Sequence, residues 1–265
     1  MNTVIVTGAR GFIGRALSAR LEREGVRVLR VTRGEPLPKA PEACCVHLAD
    51  INDAARAAAD EQGARRQSEE LAKRILAAGY ARVVFASTAY VYETASSPRH
   101  EDSPTAPASA YARIKLALES SFSESGGVIA RLSNVYGPDQ SSKNAISDIL
   151  KQIPGDGIVR LRGSSESVRD YLFIDDAAEG LARLALSKVE GVFNLSTGQG
   201  TSIADLIGLL ARLHGLPRPR IESTSTSAPS TLVLDPERAA ARLGWKARTP
   251  LQQGLKSLLL TTRPS

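Results

Sequence analysis

NTVIVTGARGFIG, residues 2–14, runs a block of β-branched residues straight into glycines at positions 8, 11 and 14. NTVIV (2–6) reads as a short buried strand by its composition. GFIGRALSARLERE then carries apolar residues at helical spacing and stops at Gly25, a residue type suited to a helix end. The turn between them, TGARGFIG (7–14), therefore sits between a strand and a helix. Gly8, Gly11 and Gly14 keep side chains away where backbone must approach a pyrophosphate and where helix packs on strand. The helix N-terminus adds free N–H groups and positive dipole character for an anion. A glycine triplet alone is compatible with a plain tight turn; the strand–turn–helix setting turns it into a dinucleotide signal.

Working outward, VRVLRV (26–31) is a second strand and CCVHLA (44–49) a third. An Ala-rich helical stretch runs from about Asp53 to Ala78. ARVVFAS (81–87) is a strand, PASAYARIKLALESSF (107–122) a helix and GVIARLS (127–133) a strand. Strands alternating with helices predict an α/β protein with a parallel sheet covered on both faces. Beyond Gly137-Pro138 the regularity weakens, and residues 138–170 and 197–235 are richer in Ser, Pro and Gly. Between them YLFIDDAAEGLARLAL and GVFNLS read as a helix flanked by strands that return to the sheet. SKVE and ESTSTSAPS read as loops, and LDPERAAARLGW and TPLQQGLKSLLL as terminal helices. The expected organisation is a dinucleotide-binding domain over 1–137, to which the chain returns at about 171–196. Residues 138–170 and 197–265 would form a smaller, C-terminal substrate lobe.

The chain has 265 residues, 42% hydrophobic and 23% charged, which is ordinary for a soluble globular protein. No apolar run approaches the roughly 18 residues needed to span a bilayer. MNTVIVTGARG lacks the basic and apolar regions of a signal peptide, so the expected location is the cytoplasm, with no membrane partner. A net charge of +6 suits nucleic acid or a phosphorylated small molecule. The basic residues are spread out with no stacking-aromatic motif, so no nucleic-acid partner is expected. Cys44 and Cys45 are adjacent on a strand and point to opposite faces, which excludes a disulfide between them. His47, His100 and His214 lack metal-ligand spacing, and no metal is expected.

The end of the second strand normally carries an acid for the adenine ribose; here Thr32 and Arg33 stand there. A small neutral residue beside a guanidinium suits a 2′-phosphate, and Arg10 in the glycine loop is placed to assist. The expected cofactor is NADP(H), with NAD(H) as the alternative.

The motifs together resemble the extended short-chain dehydrogenase/reductase family of the NAD-dependent epimerase/dehydratase type, which includes nucleotide-sugar epimerases and 4-ketoreductases. The likeness rests on TGARGFIG, VHLAD (46–50), FASTAYVY (85–92), YARIK (111–115), RLSNVYGP (131–138), VRDYLFIDDAA (168–178), VFNLSTG (192–198) and LGW (243–245), in the family's order. The resemblance implies a Rossmann-type doubly wound parallel sheet. Tyr111 and Lys115 would share a helical face, the phenol exchanging a proton with the substrate oxygen and the ammonium favouring phenolate and holding the nicotinamide ribose. Thr88 would be the third catalytic member, with Ser87 beside it. Phe12 and Ile13 of the glycine turn, and Leu48 and Ala49 after the third strand, would line the cofactor site. Asn134 matches the position that contacts the sugar nucleotide, and Arg169 the one that binds a substrate phosphate. Relatives also pair as homodimers through the tyrosine helix and the long helix before strand 81–87, which makes a homodimer the expectation.

Three departures shape the reading. Between Thr32 and Cys44 stands only RGEPLPKAPEA, so one sheet-edge strand and its helix are missing. Dehydratases of the family carry Asp-Glu after the catalytic threonine, whereas this chain has Ala89-Tyr90, which argues against dehydration. The segment before LDPERAAARLGW offers no phosphate-binding arginine, leaving Lys143 or Arg162 as substitutes. The favoured function is an NADPH-dependent 4-ketoreductase acting on a nucleotide-linked sugar. A 4-epimerase on UDP-glucose or UDP-galactose-like substrates is the alternative, and a non-catalytic NADP-sensing protein stands behind both. Intact Thr88, Tyr111 and Lys115 argue against loss of catalysis.

Overall fold

A computed structural model describes residues 3–50, 54–142, 144–224 and 228–262. The first half contains β1 (Thr3–Thr7), α1 (Phe12–Arg23), β2 (Arg27–Val31), β3 (Cys44–His47), α2 (Ala54–Ala59), α3 (Glu61–Ala77), β4 (Arg82–Thr88), α4 (Ala110–Glu124) and β5 (Val128–Leu132). The second half contains β6 (Asn134–Tyr136), α5 (Ala145–Gln152), β7 (Ile158–Leu161), β8 (Val168–Phe173), α6 (Ile174–Leu186) and β9 (Val192–Leu195). It ends with β10 (Gly200–Ser202), α7 (Ile203–Leu213), β11 (Arg220–Ser223), β12 (Thr231–Leu232), α8 (Glu237–Leu243) and α9 (Leu251–Thr262).

Six parallel strands in the order β2-β1-β3-β4-β5-β9 form the central sheet. Every residue of β3 and β5 is buried, as expected for strands covered on both faces. Helices α1 and α6 cover one face through Leu17, Leu21, Ala177 and Leu181. Helices α3 and α4 cover the other through Ile75, Ile114, Leu118 and Phe122. The adjacent cysteines divide between these faces, Cys44 packing in the first layer and Cys45 in the second. The architecture is the Rossmann-type doubly wound sheet.

The short segment between β2 and β3 leaves β2 at the sheet edge. Residues 32–43 hold no helix or strand, yet Leu37, Ala40 and Ala43 pack into the second layer and the Tyr80 hydroxyl donates to Pro38 O at 3.0 Å. An apolar loop thus covers what another helix would have covered. Arg27 and Arg30 project from the exposed positions of β2, which charges an otherwise open edge.

Several expectations are corrected. The helix predicted from about Asp53 to Ala78 is two helices, because the Asp60 side chain accepts from Gly63 N at 2.8 Å and caps a new start; Asp53 lies outside the described residues. The tyrosine helix begins at Ala110 rather than Pro107, since Ser109 caps it through Ala112 N. The strand before α6, β8, joins a second sheet with β6, β10 and β12 and does not return to the central one. The Ser-, Pro- and Gly-rich stretches contain helices α5 and α7, capped by Asn144 and Ser202. LGW ends in the fully buried Trp245, whose indole N–H donates to Asp176 O at 3.2 Å, while the Asp176 carboxylate accepts from Arg248 N and Thr249 N. This clamp locks the C-terminal segment onto α6.

One core polar group has a consequence for stability. His47 is fully buried against the stacked rings of Phe85 and Phe122. The Thr7 hydroxyl accepts from Leu48 N and Ala49 N at 3.2 Å each, so its own proton goes to His47 Nδ1 at 2.8 Å. His47 is therefore the neutral tautomer protonated at Nε2. Burial pushes its pKa down to about 4, against a small opposing pull from Asp50. A depressed folded-state value means that stability is complete above the unfolded value of about 6.5 and is lost as pH falls toward 4. The separation corresponds to about 3 kcal/mol. Replacing His47→Asn, whose amide oxygen can still accept from Thr7, should flatten the fall in unfolding free energy between these pH values in denaturant titrations; an unchanged slope would refute the assignment.

Candidate active site

The glycine turn is held open by contact. Gly8 has φ +69, and a Cβ on it would lie 2.9 Å from Ala49 N and 3.0 Å from the Leu48 carbonyl carbon. A Cβ on Gly14 would lie 2.2 Å from Gly8 O. Helix α1 starts at Gly11 with no side-chain cap and no acid in its first turn, so its leading N–H groups keep their positive character. This cradle fits a pyrophosphate: its glycines leave no room for side chains, and the uncapped start of α1 opens beside them. Gly8, Gly11, Phe12, Ile13 and Gly14 would hold the group, with Leu48 and Ala49 backing the loop.

At the ribose end Arg10 and Arg33 are exposed, and Thr32 is half-buried. A residue that strand-end reasoning missed enters here. Glu35 folds back so that its carboxylate accepts from Thr32 N at 2.6 Å, a bond that holds its carboxyl below the usual range together with the pull of Arg10. The signal was a carboxylate three residues after Thr32, within reach across one turn.

A cleft of about 570 Å³ opens beside the C-terminal ends of β4 and β5, a size typical of small-ligand sites. Ile13, Ser87, Thr88, Tyr111 and Asn134 all line it. The strand carrying Thr88 and the helix carrying Tyr111 are thus brought to one cavity. Ser109, which caps α4, fixes where the tyrosine emerges. Lys115, one turn further along α4, is 6% exposed and lies beneath the cleft. Its ammonium donates to Ala86 O at 2.9 Å, sits 3.0 Å from Asp50 Oδ2 and stands over the Phe85 ring.

Ser87 and Thr88 have different surroundings despite being neighbours. The Ser87 hydroxyl donates to Glu119 Oε1, inside a buried network. Glu119 takes Arg131 Nη2 at 2.6 Å and Nε at 3.0 and 3.1 Å, and Arg131 also reaches Glu101 O and the Tyr92 ring. Thr88 Oγ1 accepts from Tyr90 N at 3.3 Å, the first bond of a short turn over Ala89–Val91. Glu119 continues the spacing of four set by Tyr111 and Lys115, and that spacing was the available signal for it.

On the substrate side, the Asn134 amide accepts from the Tyr90 hydroxyl at 2.9 Å and donates to Asp170 O at 3.1 Å. Tyr90 lines the cleft in the position where the dehydratases carry an acid. Arg169 is not on the cleft wall: its guanidinium donates to Val168 O, Ser230 O and Ser230 Oγ at 2.6–2.8 Å. Nor does it pair with Asp170, whose carboxylate accepts from Ser133, Thr197 and Gly198. Arg162 is exposed, and Lys143 lies outside the described residues. Among the described residues no group of three His, Cys, Asp or Glu side chains converges, and no helix is long and apolar enough to cross a membrane.

A glycine cradle at the head of a doubly wound sheet, beside a cleft lined by Thr88 and Tyr111, defines a dinucleotide-binding oxidoreductase class of site. Residues 4–196 match the NAD dependent epimerase/dehydratase family, and the chain belongs to it. Among curated relatives, it is 29% identical over 165 residues to the dTDP-L-rhamnose 4-epimerase of Burkholderia thailandensis, covering 57% of this chain and 46% of that one. It is 26% identical over 301 residues to the dTDP-6-deoxy-L-talose 4-dehydrogenase (NAD(P)(+)) of Kitasatospora kifunensis, covering 96% and 94%. The match to the epimerase thus spans about half of that protein's length. Among solved structures, MoeE5 in complex with UDP-glucuronic acid and NAD superposes with a TM-score of 0.86 at 27% identity, covering 99% of each chain.

The Glu119–Arg131 pair beneath Ser87 gives a direct test of how the site is supported. Both side chains are nearly fully buried, so Glu119→Ala leaves an uncompensated guanidinium and should cost about 3–5 kcal/mol, or roughly 10 °C in Tm. The double change Glu119→Leu with Arg131→Met should recover most of the loss in thermal melts; a double variant no more stable than the single one would contradict the pairing.

Proposed function

We propose that this protein transfers hydride at C4 of a nucleotide-linked sugar and works as an NADPH-dependent 4-ketoreductase. The observation that carries the reading is the meeting of Thr88, Tyr111 and Asn134 on one cleft, with Lys115 beneath it. When bound, the dinucleotide supplies or accepts the hydride. Tyr111 then gives the proton to the developing alkoxide, and Thr88, through its hydroxyl proton, donates a hydrogen bond to the same oxygen. Lys115 lends positive charge to the phenol from below, which favours phenolate once the proton has left. The Ser87–Glu119–Arg131 network keeps β4 and α4 in register while this happens. Residues 138–170 and 197–262 act as the substrate lobe on this reading. The Ala89-Tyr90 pair supports reduction or epimerisation over dehydration.

Exposed Arg33 and Arg10 support NADP(H), while the Glu35 carboxylate beside Thr32 favours a ribose hydroxyl and supports NAD(H). We favour NADP(H), because Glu35 is already engaged by the Thr32 N–H and Arg33 is exposed. Arg169 would take a substrate phosphate only by exchanging its bonds to Ser230. A homodimer through α3 and α4 and a cytoplasmic location belong to the same reading.

The epimerase reading has its own support in the Burkholderia relative, a dTDP-L-rhamnose 4-epimerase. Incubating the purified protein with UDP-glucose, UDP-galactose and dTDP-4-keto-6-deoxyglucose, with and without NADPH or NADH, separates the outcomes. Consumption of NADPH with the keto sugar supports the ketoreductase, and interconversion of the UDP-hexoses without added reductant means epimerase. Tyr111→Phe should lower kcat at least about 100-fold, the size of a lost general acid, while leaving dinucleotide binding within a few-fold. Equal turnover in this variant would remove Tyr111 from the chemistry, and no turnover by the unaltered protein with any sugar would favour a binding protein.

A further inference from the structure

We infer that Asp50 is the positioning residue of Lys115, tying the glycine turn to the lysine that acts on Tyr111. The inference rests on the reading of Lys115 given above. Asp50 Oδ2 lies 3.0 Å from Lys115 Nζ, and the two side chains are 1% and 7% exposed. The Ser68 hydroxyl of α3 donates to the other carboxylate oxygen at 2.5 Å, so the carboxylate is itself aimed. Burial pushes the Asp50 carboxyl up, but Lys115 and Ser68 outweigh it and hold it below the usual range. Lysine has a long, flexible stem and rotatable donors, so its ammonium does not choose a direction by itself. Ala86 O takes one of its N–H groups, and Asp50 Oδ2, 3.0 Å away as an ion-pair partner, draws the ammonium toward the segment after β3.

The other end of the link is backbone. Asp50 N donates to Leu48 O at 3.0 Å, and Leu48 N and Ala49 N donate to the Thr7 hydroxyl. Gly8 packs without a side chain on that same Leu48–Ala49 segment. A pyrophosphate seated on the glycine turn and the lysine beneath the cleft are therefore two short steps apart, joined through Asp50. The titratable groups facing Asp50 among the described residues are His47 from β3 and Lys115 from α4, and α3 contributes only the Ser68 hydroxyl. His47 is neutral above about pH 4, so its ring adds no charge near neutrality, where the ammonium stands 3.0 Å from the carboxylate.

A buried ion pair is poor evidence of stabilisation, because well-packed apolar residues commonly do as well. Its place directly behind the tyrosine helix supplies the reason for it. The carboxylate orients the ammonium and screens part of its field from the phenol, so Asp50 governs both the grip on the ribose and the charge that the tyrosine meets.

Asp50→Asn preserves shape and one acceptor while removing the charge. Two readouts apply: the Kd for NADPH and for NAD+ by fluorescence and calorimetry, and the ionisation of Tyr111 from phenolate absorbance, taken as the difference between each protein and the same protein carrying Tyr111→Phe. Asp50→Asn should weaken dinucleotide binding about tenfold, the scale of one misdirected charge-assisted hydrogen bond, and move the Tyr111 ionisation to lower pH. Ser68→Ala, which frees one side of the carboxylate, should move both in the same direction by less, and it decides the matter if Asp50→Asn does not fold. Unchanged or tighter binding with an unmoved ionisation, whatever the effect on Tm, would reduce Asp50 to a packing residue and overturn the inference. Failure of the unaltered protein to bind either dinucleotide would instead overturn the functional reading, and this inference with it.

Discussion

The close approach of Gly14 to the carbonyl of Gly8, where a methyl group would sit 2.2 Å from the oxygen, is the constraint from which the rest of the site follows. It sets how near α1 can come to the end of β1, and so leaves the bare helix N-terminus facing out of the sheet. The same turn presents Gly8 at positive φ to the segment after β3, with no atom to spare between them. Thr7 then uses its hydroxyl to gather two backbone N–H groups and the His47 ring, which pins the strand end that carries Asp50. Loss of side chains in one turn thereby fixes groups more than 40 residues apart in sequence.

Beneath the cleft the protein accepts buried charge on a scale that an apolar core would not require. Lys115 with Asp50, and Arg131 with Glu119, are two ion pairs that are less than a tenth exposed, each with one member on α4. Each pair lies one step behind a residue assigned to chemistry or recognition: Lys115 itself, and Ser87 through its bond to Glu119. Apolar packing holds a layer in place without regard to side-chain rotation, whereas a bidentate arginine–carboxylate pair permits one arrangement. A site whose groups must hold position to a fraction of an ångström gains from the second kind of support.

The sequence announced these features unevenly. The central sheet was legible because β1, β4 and β5 are β-branched runs and the glycine turn has a spacing that few other structures require. The tyrosine, lysine and threonine were legible because they occur inside order-preserving motifs. Helices α5 and α7 were missed where Ser and Gly content drew attention away from Asn144 and Ser202, each followed by apolar residues at helical spacing. The break at Asp60 was hidden in alanine-rich sequence, where propensity is high on both sides and only the cap marks the joint. Asp50, Glu119 and Glu35 were on the page as ordinary acids. Their partners lie 65, 12 and 3 residues away, and only the fold or a turn brings the pairs together.

The substrate side follows a different logic from the cofactor side. The glycine turn is preformed, and the start of α1 beside it carries neither a side-chain cap nor an acid in its first turn, so a phosphate entering it meets an uncapped helix N-terminus. Asn134 and Arg169 are both engaged already, the first with Tyr90 and Asp170 O, the second with Ser230. On the proposed reading, Ser230 lies in the segment expected to carry a second phosphate-binding arginine, and it engages Arg169 instead. A ligand that uses these two side chains trades one set of hydrogen bonds for another, and such exchanges yield only about 0.5–1.5 kcal/mol each. Affinity on the proposed reading therefore comes from the dinucleotide end and from contact with the aromatic cleft wall. The polar residues decide which sugar is accepted, because a sugar that breaks the Tyr90–Asn134 bond without replacing it leaves a half-buried amide unsatisfied.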